Sequence, residues 1–597
     1  MKFIKSLLTS CLGTLLGMGV LLVGIIFLII SVFTTSIPKT KTNSVLVLSF
    51  DDIIPELTNN TDISPMNLDS WSTEMIGLHD ILALIDYAKT DDNIRGIYIS
   101  SADLPTGLAT AKKLRDKIEE FKQSGKFVYA YSNSFSEKAY YLASVADSVF
   151  VHPLGNVEFN GFSGQIVFYK GMMDNIGIKP RIFYAGKFKS ATEPFRRKDM
   201  TPENRLQVSA YLHKAYRLFL AKIATSRNTT VNNLYALANS GAIQDAKDAL
   251  AKGLVDGLPY KDQVLGKIRD QLGIPYKDKV RTTTISEYYA IHKNKLLEMG
   301  SERNIVAVVV AEGPIVDGEG DNGNIGGDRY ARVIRKLRRN KKVKAMVIRV
   351  NSGGGSALAS DIIWREIELA KAQGMPVVAS MGDVAASGGY YISAGADKIY
   401  AEDNTITGSI GVFGMLFNAR ELYENKLGLT VDTVKTGQFS AMNSSFYYYD
   451  YTAEEATMIQ KSVDDTYTTF KQRVVEGRGL TMAEVDRVAQ GRVWLGTAAL
   501  EKGLVDTLAG LDAAVNEAVT RANLSSYKVR YYPKIKSFEE ELVNWIAGNK
   551  SSVRIDASKM QAHAIREQLG AEVYDALTRM KELKGVQARL PYELVIE

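Results

Sequence analysis

The segment from Met381 to Tyr391 has the residue types and order of a serine nucleophile held on a turn. It reads Met-Gly-Asp-Val-Ala-Ala-Ser-Gly-Gly-Tyr-Tyr, follows a predicted strand and opens a predicted helix, which places Ser387 at the helix N-terminus. The amide of Gly388 is then free to face a developing oxyanion, and the helix dipole favours the negative charge. The same pattern also fits a serine that only caps the helix. This segment alone leaves both interpretations open.

A second glycine cluster, Asn351 to Ser356, lies between a predicted strand that ends at Val350 and the next predicted helix. Its amides offer a second oxyanion donor, for which Gly354 is the best candidate. A nucleotide-binding loop is the alternative interpretation of such a glycine run. No lysine follows the glycines as a phosphate-binding loop requires, so the sequence predicts no nucleotide and no other cofactor.

A catalytic serine needs a general base, and histidine is the usual one. The chain has five histidines, and none lies between residues 300 and 530, which excludes a Ser-His-Asp triad confined to that half. A lysine can replace histidine when burial lowers its pKa from about 10.4, because the neutral amine then accepts a proton. The base is therefore expected among the lysines of the chain.

The two halves of the sequence are related by a nearly constant offset. Residues 251–258, Ala-Lys-Gly-Leu-Val-Asp-Gly-Leu, match residues 501–508, Glu-Lys-Gly-Leu-Val-Asp-Thr-Leu. A long-range repeat of this kind indicates two copies of one domain, which we predict over residues 42–299 and 300–530.

The duplication also selects the base. When the two copies are aligned, Lys189 of the first copy matches Ser440, whereas Ser387 of the second copy matches Glu137. Each copy has lost what the other keeps, as expected when two half-sites together form one site. We predict that Lys189 is the base for Ser387, although a solvated surface residue is the ordinary interpretation of a single lysine. Lys187, two residues away, is the natural control.

Strand-like and helix-like segments alternate along each copy. In the second copy, residues 305–310, 345–350 and 377–379 predict buried strands, and residues 356–371 predict a helix capped by Ser356. Such alternation is typical of an α/β fold with a parallel sheet. The tail over residues 531–597 consists of charged, helix-like segments to which the sequence assigns no chemistry.

The composition of the 597 residues is that of a folded protein of at least two domains, with 46% hydrophobic and 23% charged residues. The only cysteine is Cys11, which excludes disulfide bonds within the chain, cysteine-bound zinc and a thiol nucleophile in the globular part. We predict no metal site. The basic run over residues 332–344 fits the solvated face of an amphipathic helix better than a polyanion-binding patch, so we predict no nucleic-acid partner.

Residues 7–33 contain no charged residue. A helix of this length spans about 40 Å, enough to cross a hydrocarbon core of about 30 Å with some tilt. A cleaved signal peptide is the alternative, but its apolar region is only about 7–15 residues long. We therefore predict an N-terminal membrane anchor within residues 1–41 that contacts the lipid bilayer.

Four motifs carry a resemblance to a known family. They are Ala-Ala-Ser-Gly-Gly-Tyr-Tyr at 385–391, Gly-Ser-Ile-Gly at 408–411, Asn-Ser-Gly-Gly-Gly-Ser at 351–356 and Phe-Lys-Ser-Ala-Thr-Glu-Pro-Phe at 188–195. Together they resemble the long, duplicated form of signal peptide peptidase A, also called protease IV. The resemblance implies two tandem crotonase-like or Clp-protease-like domains after one transmembrane helix, and a homo-oligomer, a tetramer in this family. It also implies an endopeptidase of the bacterial cytoplasmic membrane that digests remnant signal peptides on the outer, periplasmic side.

Carried over by position, the resemblance gives a role to five residues of this sequence. It implies Ser387 as nucleophile, Lys189 as base, Gly354 and Gly388 as oxyanion donors, and Ser409 as a hydroxyl that orients the lysine amine. One departure from the family is visible, because family members usually have proline where this chain has Gly353. A glycine there loosens the loop before the first oxyanion donor.

Two other functional classes fit part of the sequence. A crotonase-like enzyme that acts on acyl-CoA would use the same fold and glycine amides, but it needs neither a membrane anchor nor a Ser-Lys pair. Covalent labelling of Ser387 by a serine-directed probe would separate it from a protease. A non-catalytic membrane scaffold predicts instead that Ser387→Ala and Lys189→Ala leave every activity unchanged.

Overall fold

The computed structural model describes residues 40–50, 52–60, 75–298, 303–442, 448–535 and 585–589, together with Gly13 and Gly17. None of the helices described in these ranges has the length and apolar character needed to cross a bilayer. The anchor predicted over residues 7–33 lies outside the described residues, apart from the two glycines. It therefore stays a prediction.

A five-stranded parallel sheet forms the centre of the first repeat. Its strands are β1 (Ser44–Leu48), β2 (Ile94–Ile99), β3 (Phe127–Phe135), β4 (Ser148–Val157) and β6 (Arg281–Thr284), in the order β4-β3-β2-β1-β6. The helices around it are Leu78–Thr90, Leu108–Lys122, Glu137–Ala143, Lys170–Ile176, Glu193–Arg196, Pro202–Ser226, Val231–Asn239, Ala246–Ala251, Lys261–Leu272 and Ile285–Glu298, with a 3₁₀ turn at Ser190–Thr192.

The second repeat is built on an eight-stranded sheet. Its strands are β7 (Ile305–Glu312), β10 (Val343–Ser352), β12 (Val377–Ala386), β13 (Lys398–Ala401), β14 (Ile406–Gly408), β16 (Val493–Leu495), β17 (Thr507–Leu508) and β18 (Lys528–Tyr532). The main path is β16-β14-β12-β10-β7-β18, β13 joins β12 to β17, and only the β14–β16 pair is antiparallel. The helices are Gly327–Arg338, Ala357–Ala372, Gly388–Ala394, Ala453–Arg478, Met482–Val488, Gly496–Glu501 and Leu511–Arg521, with a π turn at Leu422–Lys426.

The sequence explains why β7 lies inside this sheet. Alternate residues of a strand point to opposite faces. Ala307 and Val309 pack into one hydrophobic cluster, while Val306 and Val308 pack into another. Both faces of the strand are thus covered, which is why the run is apolar throughout rather than alternating. The predicted strands and the helix capped by Ser356, whose hydroxyl accepts from the Ala359 amide, are confirmed, as is the mixed α/β class with parallel sheets.

A third sheet joins the two repeats. Its strands are β5 (Lys179–Ala185), β8 (Ile315–Val316), β9 (Ile325–Gly326), β11 (Gly354–Ser356), β15 (Val412–Asn418) and β19 (Gly585–Arg589), in the order β5-β15-β19-β11-β8-β9. First-repeat β5 and second-repeat β15 pair antiparallel along their whole length. This pairing brings the segment after β5 next to the segment before β15, and those two segments carry Lys189 and Ser409.

Equivalent hydrogen bonds recur in the two repeats. The Tyr140 hydroxyl donates to the Leu254 carbonyl at 2.7 Å, and the Tyr390 hydroxyl donates to the Leu504 carbonyl at 2.9 Å. Two arginine–carboxylate pairs also correspond, namely Arg227 with Asp256 and Arg478 with Asp506. The duplication read from the sequence is therefore present in the fold, while the domain bounds 42–299 and 300–530 stay predictions.

The basic run 332–344 is helical only in its first part, because the helix ends at Arg338 and residues 343–344 belong to β10. Helix Gly327–Arg338 carries its first part and buries Ile334 and Leu337, while Arg335 and Arg338 both bind the carboxylate of Glu366. The prediction of a helix-like tail, in contrast, is wrong for its described pieces. Residues 531–532 belong to β18 and residues 585–589 form β19. Both strands form main-chain hydrogen bonds with neighbouring strands, and this pairing outweighs the helical preference of their residues.

Candidate active site

Ser387 stands on a strained turn between β12 and helix Gly388–Ala394. Its φ is 55° and its ψ is −116°, in a region that L residues rarely adopt, and its amide donates to the Gly408 carbonyl at 2.8 Å. Such strain persists only where the surroundings impose it, often at functional sites. The side chain is fully buried and does not cap the helix. The interpretation of Ser387 as a simple helix cap is therefore not supported.

Lys189 of the first repeat reaches this serine. Its Nζ lies 2.8 Å from Ser387 Oγ, 3.1 Å from Ser409 Oγ and 3.2 Å from the Ser409 carbonyl oxygen. The residue is only 1% exposed, and in the described part of the chain no carboxylate forms an ion pair with it. Burial without a counter-charge places the pKa of the Lys189 amine well below its usual value, because desolvation disfavours the ammonium form.

The three contacts of the Lys189 amine match the donors and the acceptor of its neutral form. A neutral amine has two N–H groups and one lone pair. Its two hydrogens can be donated to the Ser409 carbonyl and hydroxyl oxygens, which leaves the lone pair for the Ser387 hydroxyl proton. The geometry is thus that of a base hydrogen-bonded to a nucleophile and oriented by a third group.

The loop that carries Lys189 is fixed from both sides. The Phe188 amide donates to the Gln490 carbonyl at 2.8 Å, and Gln207 Nε2 donates to the Phe188 carbonyl and to Ser190 Oγ. Lys187 is exposed, with its Nζ 5.5 Å from the centre of the Phe188 ring. Of the two neighbouring lysines, only Lys189 points into the site, as the sequence analysis expected.

Ser409 also adopts a left-handed conformation. Its φ is 51°, and its amide donates to the Arg492 carbonyl at 2.7 Å. The side chain is fully buried. The Ser409 peptide is therefore held by the residue that precedes β16, while its hydroxyl and carbonyl oxygens both lie within hydrogen-bond distance of Lys189 Nζ.

The two glycines implied as oxyanion donors are direct neighbours. A methyl group built on Gly354 would lie 2.6 Å from the Gly388 amide nitrogen. Gly354 has a φ of 94°, and its own amide donates to Ser352 Oγ at 3.1 Å. Ser352 Oγ in turn donates to the Gly313 carbonyl at 2.6 Å. The Gly354 amide is thus engaged by a hydroxyl in this state, and it must leave that hydroxyl before it can bind an oxyanion.

Comparison with known proteins identifies the family. A model of the family described as Peptidase family S49 matches residues 120–274 and 369–525, one match in each repeat, and these ranges contain Lys189 and Ser387. The chain belongs to peptidase family S49. It is a serine protease, as the resemblance of its four motifs implied, and this excludes both the acyl-CoA enzyme and the non-catalytic scaffold.

Named relatives of this S49 peptidase span most of its length. It is 34% identical to "Protease 4" of Haemophilus influenzae over 85% of either chain. It is 33% identical to "Serine protease SPPA, chloroplastic" of Arabidopsis thaliana, over 78% of this chain and 69% of that protein. A shorter relative, "Putative signal peptide peptidase SppA" of Enterococcus faecium, is 33% identical over 43% of this chain and 78% of its own.

In this S49 peptidase, the counterpart of Ser387 in the first repeat and the counterpart of Lys189 in the second repeat are residues of other types. Glu137 stands where the second repeat has Ser387, and its carboxylate accepts from the Gly161 amide at 3.0 Å and from the Tyr216 hydroxyl at 2.8 Å. Burial raises the pKa of this carboxyl to about 7. Ser440, which the sequence aligns with Lys189, is exposed. Neither position pairs a nucleophile with a base, so the chain has one candidate dyad among its described residues.

Two features of the site escaped the sequence analysis. Gln207 supports the lysine loop, but a glutamine on a long helix has no local signal of such a role. Strand β19 lies beside the glycines, and its short alternation of Val586, Gln587 and Ala588 is too brief to predict a strand in a charged tail.

Proposed function

We propose that this S49 peptidase is a Ser-Lys dyad endopeptidase that works through an acyl-enzyme. The observation that supports it is the 2.8 Å separation of Lys189 Nζ and Ser387 Oγ in a buried, carboxylate-free site. An amine in such surroundings is uncharged at a much lower pH than a lysine in water, and only an uncharged amine can take up a proton.

The reaction follows from these contacts. Neutral Lys189 takes the Ser387 proton as Oγ forms a bond to the carbonyl carbon of the scissile peptide. The tetrahedral intermediate collapses when the resulting ammonium protonates the leaving amine and the C–N bond breaks, which leaves an ester on Ser387. Water then repeats the sequence with Lys189 as its base and releases the acid. Ser409 keeps the amine directed at Ser387 throughout.

The oxyanion is expected to bind the amides of Gly388 and Gly354. Gly388 is the first residue of its helix, so its amide belongs to the helix end that lacks internal partners. Gly354 contributes once its amide turns from Ser352 Oγ to the stronger, charged acceptor. Removal of one such donor typically costs about 10²–10³ in kcat.

The substrates are proposed to be remnant signal peptides and other apolar peptides. The name of the Enterococcus faecium relative, a putative signal peptide peptidase, supports this. The charge-free residues 7–33 support a membrane anchor next to which such peptides remain after secretion. The proposal also places the protein in a bacterial cytoplasmic membrane, with its globular part outside. It includes assembly into a homo-oligomer such as a tetramer. It further includes two crotonase-like or Clp-protease-like domains over residues 42–299 and 300–530.

Three variants test the dyad on a fluorogenic apolar peptide. Ser387→Ala and Lys189→Ala are expected to abolish hydrolysis, while Lys187→Ala retains it, because the exposed Lys187 amine does not contact Ser387. Covalent labelling by a fluorophosphonate should disappear with Ser387→Ala. Full activity of Lys189→Ala, with Ser387 still labelled, would refute the assignment of the base.

A further inference from the structure

A bulge interrupts strand β12 shortly before the candidate nucleophile. In the pairing of β10 with β12, Val350 lies opposite Met381, and the next pair is Ser352 with Ala385. Residues 382–384 of β12, here called the bulge, therefore lie opposite a single residue of β10. Bulges next to active sites bend a strand and redirect the side chains that follow. This bulge therefore sets the point at which the nucleophile, two residues after Ala385, meets the oxyanion glycines.

Two side chains of the second repeat satisfy the backbone of the bulge. The Gly382 carbonyl accepts from Thr405 Oγ1 at 2.7 Å, and the Val384 amide donates to Asn351 Oδ1 at 3.2 Å. Buried backbone groups that a strand ladder leaves unpaired need such partners. The side chain of Asp383, in the middle of the bulge, is bound by the first repeat instead.

Thr110 of the first repeat binds Asp383 with two hydrogen bonds. Its amide donates to Asp383 Oδ1 at 2.9 Å, and its hydroxyl donates to Oδ2 at 2.5 Å. Thr110 is 3% exposed and lies in the first turn of helix Leu108–Lys122, where free amides favour a carboxylate. Gly107 permits this approach, because a methyl group on it would lie 2.2 Å from Asp383 Cγ. The strand that leads to the nucleophile is thus fixed to a helix of the opposite repeat.

This helix is the first-repeat counterpart of the helix that follows the oxyanion loop. The offset of 250 residues between the two copies aligns it with residues 358–372. In the second repeat the loop before this helix carries Gly354, whereas the first repeat has Leu104 at the same position. The first repeat thus lacks the oxyanion glycine, and its helix end binds a side chain that precedes the nucleophile of the second repeat.

A second contact between the repeats lies at the start of the bulge. Arg349 of β10 donates from Nη1 to the carbonyl of Met381, the residue before the bulge, at 2.7 Å, and its Nη2 lies 2.8 Å from Glu56 Oε1 of the first repeat. Both charged side chains are buried, with Arg349 5% and Glu56 2% exposed. A buried arginine without its counter-charge is costly, so Glu56 keeps Arg349 in place, and Arg349 in turn holds Met381.

We propose that Thr110 and Asp383 position the nucleophile of this protease. By holding the bulge, they fix where Ser387 lies relative to the amides of Gly354 and Gly388. This inference rests on the proposed function, because it takes Ser387 as the nucleophile. It adds a second contribution of the first repeat to the site, separate from the base, which acts through the backbone of β12.

The test compares Thr110→Val, which removes only the hydroxyl, with Thr110→Ser, which keeps it. Thr110→Val should lower kcat for a fluorogenic apolar peptide by about 10-fold or more with KM little changed, since a misplacement of about 1 Å can cost 10²-fold. Thr110→Ser should stay within about twofold of the wild type. Lys113→Gln is the matched control, because Lys113 lies on the same helix and also bonds across the repeats, to Asp512 rather than to the bulge. Equal losses of kcat in all three variants, or a loss of stability in Thr110→Val without a loss of kcat, would overturn the proposal.

The rate at which a small fluorophosphonate labels Ser387 gives a readout that does not depend on peptide binding. It should fall in parallel with kcat in Thr110→Val, while the midpoint of the pH profile stays that of the wild type, because the loop that carries Lys189 is unchanged. If Thr110→Val is labelled as fast as the wild type, this inference fails while the proposed function stands. If the wild type itself is not labelled at Ser387, the proposed function fails.

Two further variants keep the test independent of Thr110→Val alone. Asp383→Ala should lower kcat at least as much, and adding Thr110→Val to it should cause no further loss, because both changes break one contact. Additive losses would overturn the proposal. Gly107→Ala should also lower kcat, because its methyl group displaces Asp383 from a backbone with a φ of −73°, which strains no residue. Wild-type kcat in a folded Gly107→Ala protein would likewise overturn it.

Discussion

The amide of Val493 in the second repeat donates a hydrogen bond to Gln207 Oε1 in the first repeat at 3.1 Å. The Nε2 of the same glutamine donates to the Phe188 carbonyl at 3.2 Å and to Ser190 Oγ at 2.9 Å, on either side of Lys189. Gln207 is 1% exposed. One buried amide therefore ties the lysine loop to a strand of the opposite repeat, and we infer that it positions the base.

Gln207→Leu should lower kcat by about 10–100-fold with KM little changed, since a misplacement of about 1 Å can cost 10²-fold. Steady-state kinetics over pH provides a second readout, because a displaced Lys189 should also shift the pH at which activity appears. Leu206→Ala, at an exposed position of the same helix, is the matched control. An unchanged kcat and pH profile in Gln207→Leu would refute the positioning role.

The lowered pKa of Lys189 sets the pH dependence of activity. Burial disfavours the ammonium form, and the reaction needs the neutral amine, so kcat/KM should rise as pH rises through the folded-state pKa and then level off. Lys187→Ala should leave this profile unchanged. An optimum at acidic pH would contradict the assignment of Lys189 as the base.

The Lys189 amine should also make the free energy of unfolding depend on pH. Its pKa is lower in the folded chain than the value of about 10.4 expected in the unfolded chain, so between the two values the unfolded chain binds more protons. The free energy of unfolding contributed by Lys189 therefore rises with pH across this window, by about 1.4 kcal/mol for each pKa unit. Urea unfolding from pH 7 to 10 should show this slope in the wild type and a reduced slope in Lys189→Met. Equal slopes would mean that the amine is charged in the fold.

The contribution of Glu137 to the free energy of unfolding should change with pH in the opposite direction. Its folded-state pKa of about 7 lies above the ordinary value, so the folded chain binds more protons between about pH 4.3 and 7, and its stability contribution falls as pH rises through that window. Glu137→Gln keeps one acceptor oxygen for the Gly161 amide and can donate its own amide to the Tyr216 hydroxyl oxygen, so it should gain stability relative to the wild type as pH rises from 5 to 8. Urea unfolding of both proteins at the two pH values measures the difference.

Proteolysis should not depend on Glu137, because neither Glu137 nor Ser440 belongs to a pair of nucleophile and base. Ser440→Ala, at the exposed position aligned with Lys189, should likewise keep full activity. A loss of kcat in Glu137→Gln or Ser440→Ala that exceeds the loss of folded protein would indicate that the position concerned retains a catalytic role.

Much of the site could be predicted because the duplication makes losses visible. Ser387 is indicated by its own segment, and Lys189 is selected among the lysines because its counterpart Ser440 and the counterpart of Ser387, Glu137, differ from them. The β-branched runs of the second repeat likewise predict strands, since a strand buried on both faces needs apolar residues throughout. These signals are local in the sequence or repeated in it.

The parts that could not be predicted depend on distant partners. Gln207 bonds to Val493, 286 residues away, and nothing near it on the helix marks that contact. Strand β19 owes its conformation to the open edges of β11 and β15 rather than to its own five residues. The Gly354 amide donates to Ser352 Oγ from a backbone with a φ of 94°, a conformation that the glycine run permits but does not specify.

Two glycines in left-handed conformations offer a test in which backbone strain is matched. Gly491 has a φ of 73°, and a methyl group on it would lie 2.6 Å from Lys189 Cβ. Gly503 has a φ of 70°, and its nearest neighbour would be Leu480 Cδ2 at 3.7 Å. The strained conformation should cost alanine about 1 kcal/mol of unfolding free energy at either position, and at Gly491 the close contact with the Lys189 main chain, 2.7 Å from its amide nitrogen, adds to this cost.

Only Gly491→Ala should also remove activity, because its methyl group pushes Lys189 away from Ser387. We expect kcat to fall by about 100-fold in Gly491→Ala, and to stay within about twofold of the wild type in Gly503→Ala, as a displacement near 1 Å predicts. Urea unfolding and kcat measured on the same preparations separate the two effects. If the two variants lost stability and activity in the same proportion, the position of the lysine would not be what limits the reaction.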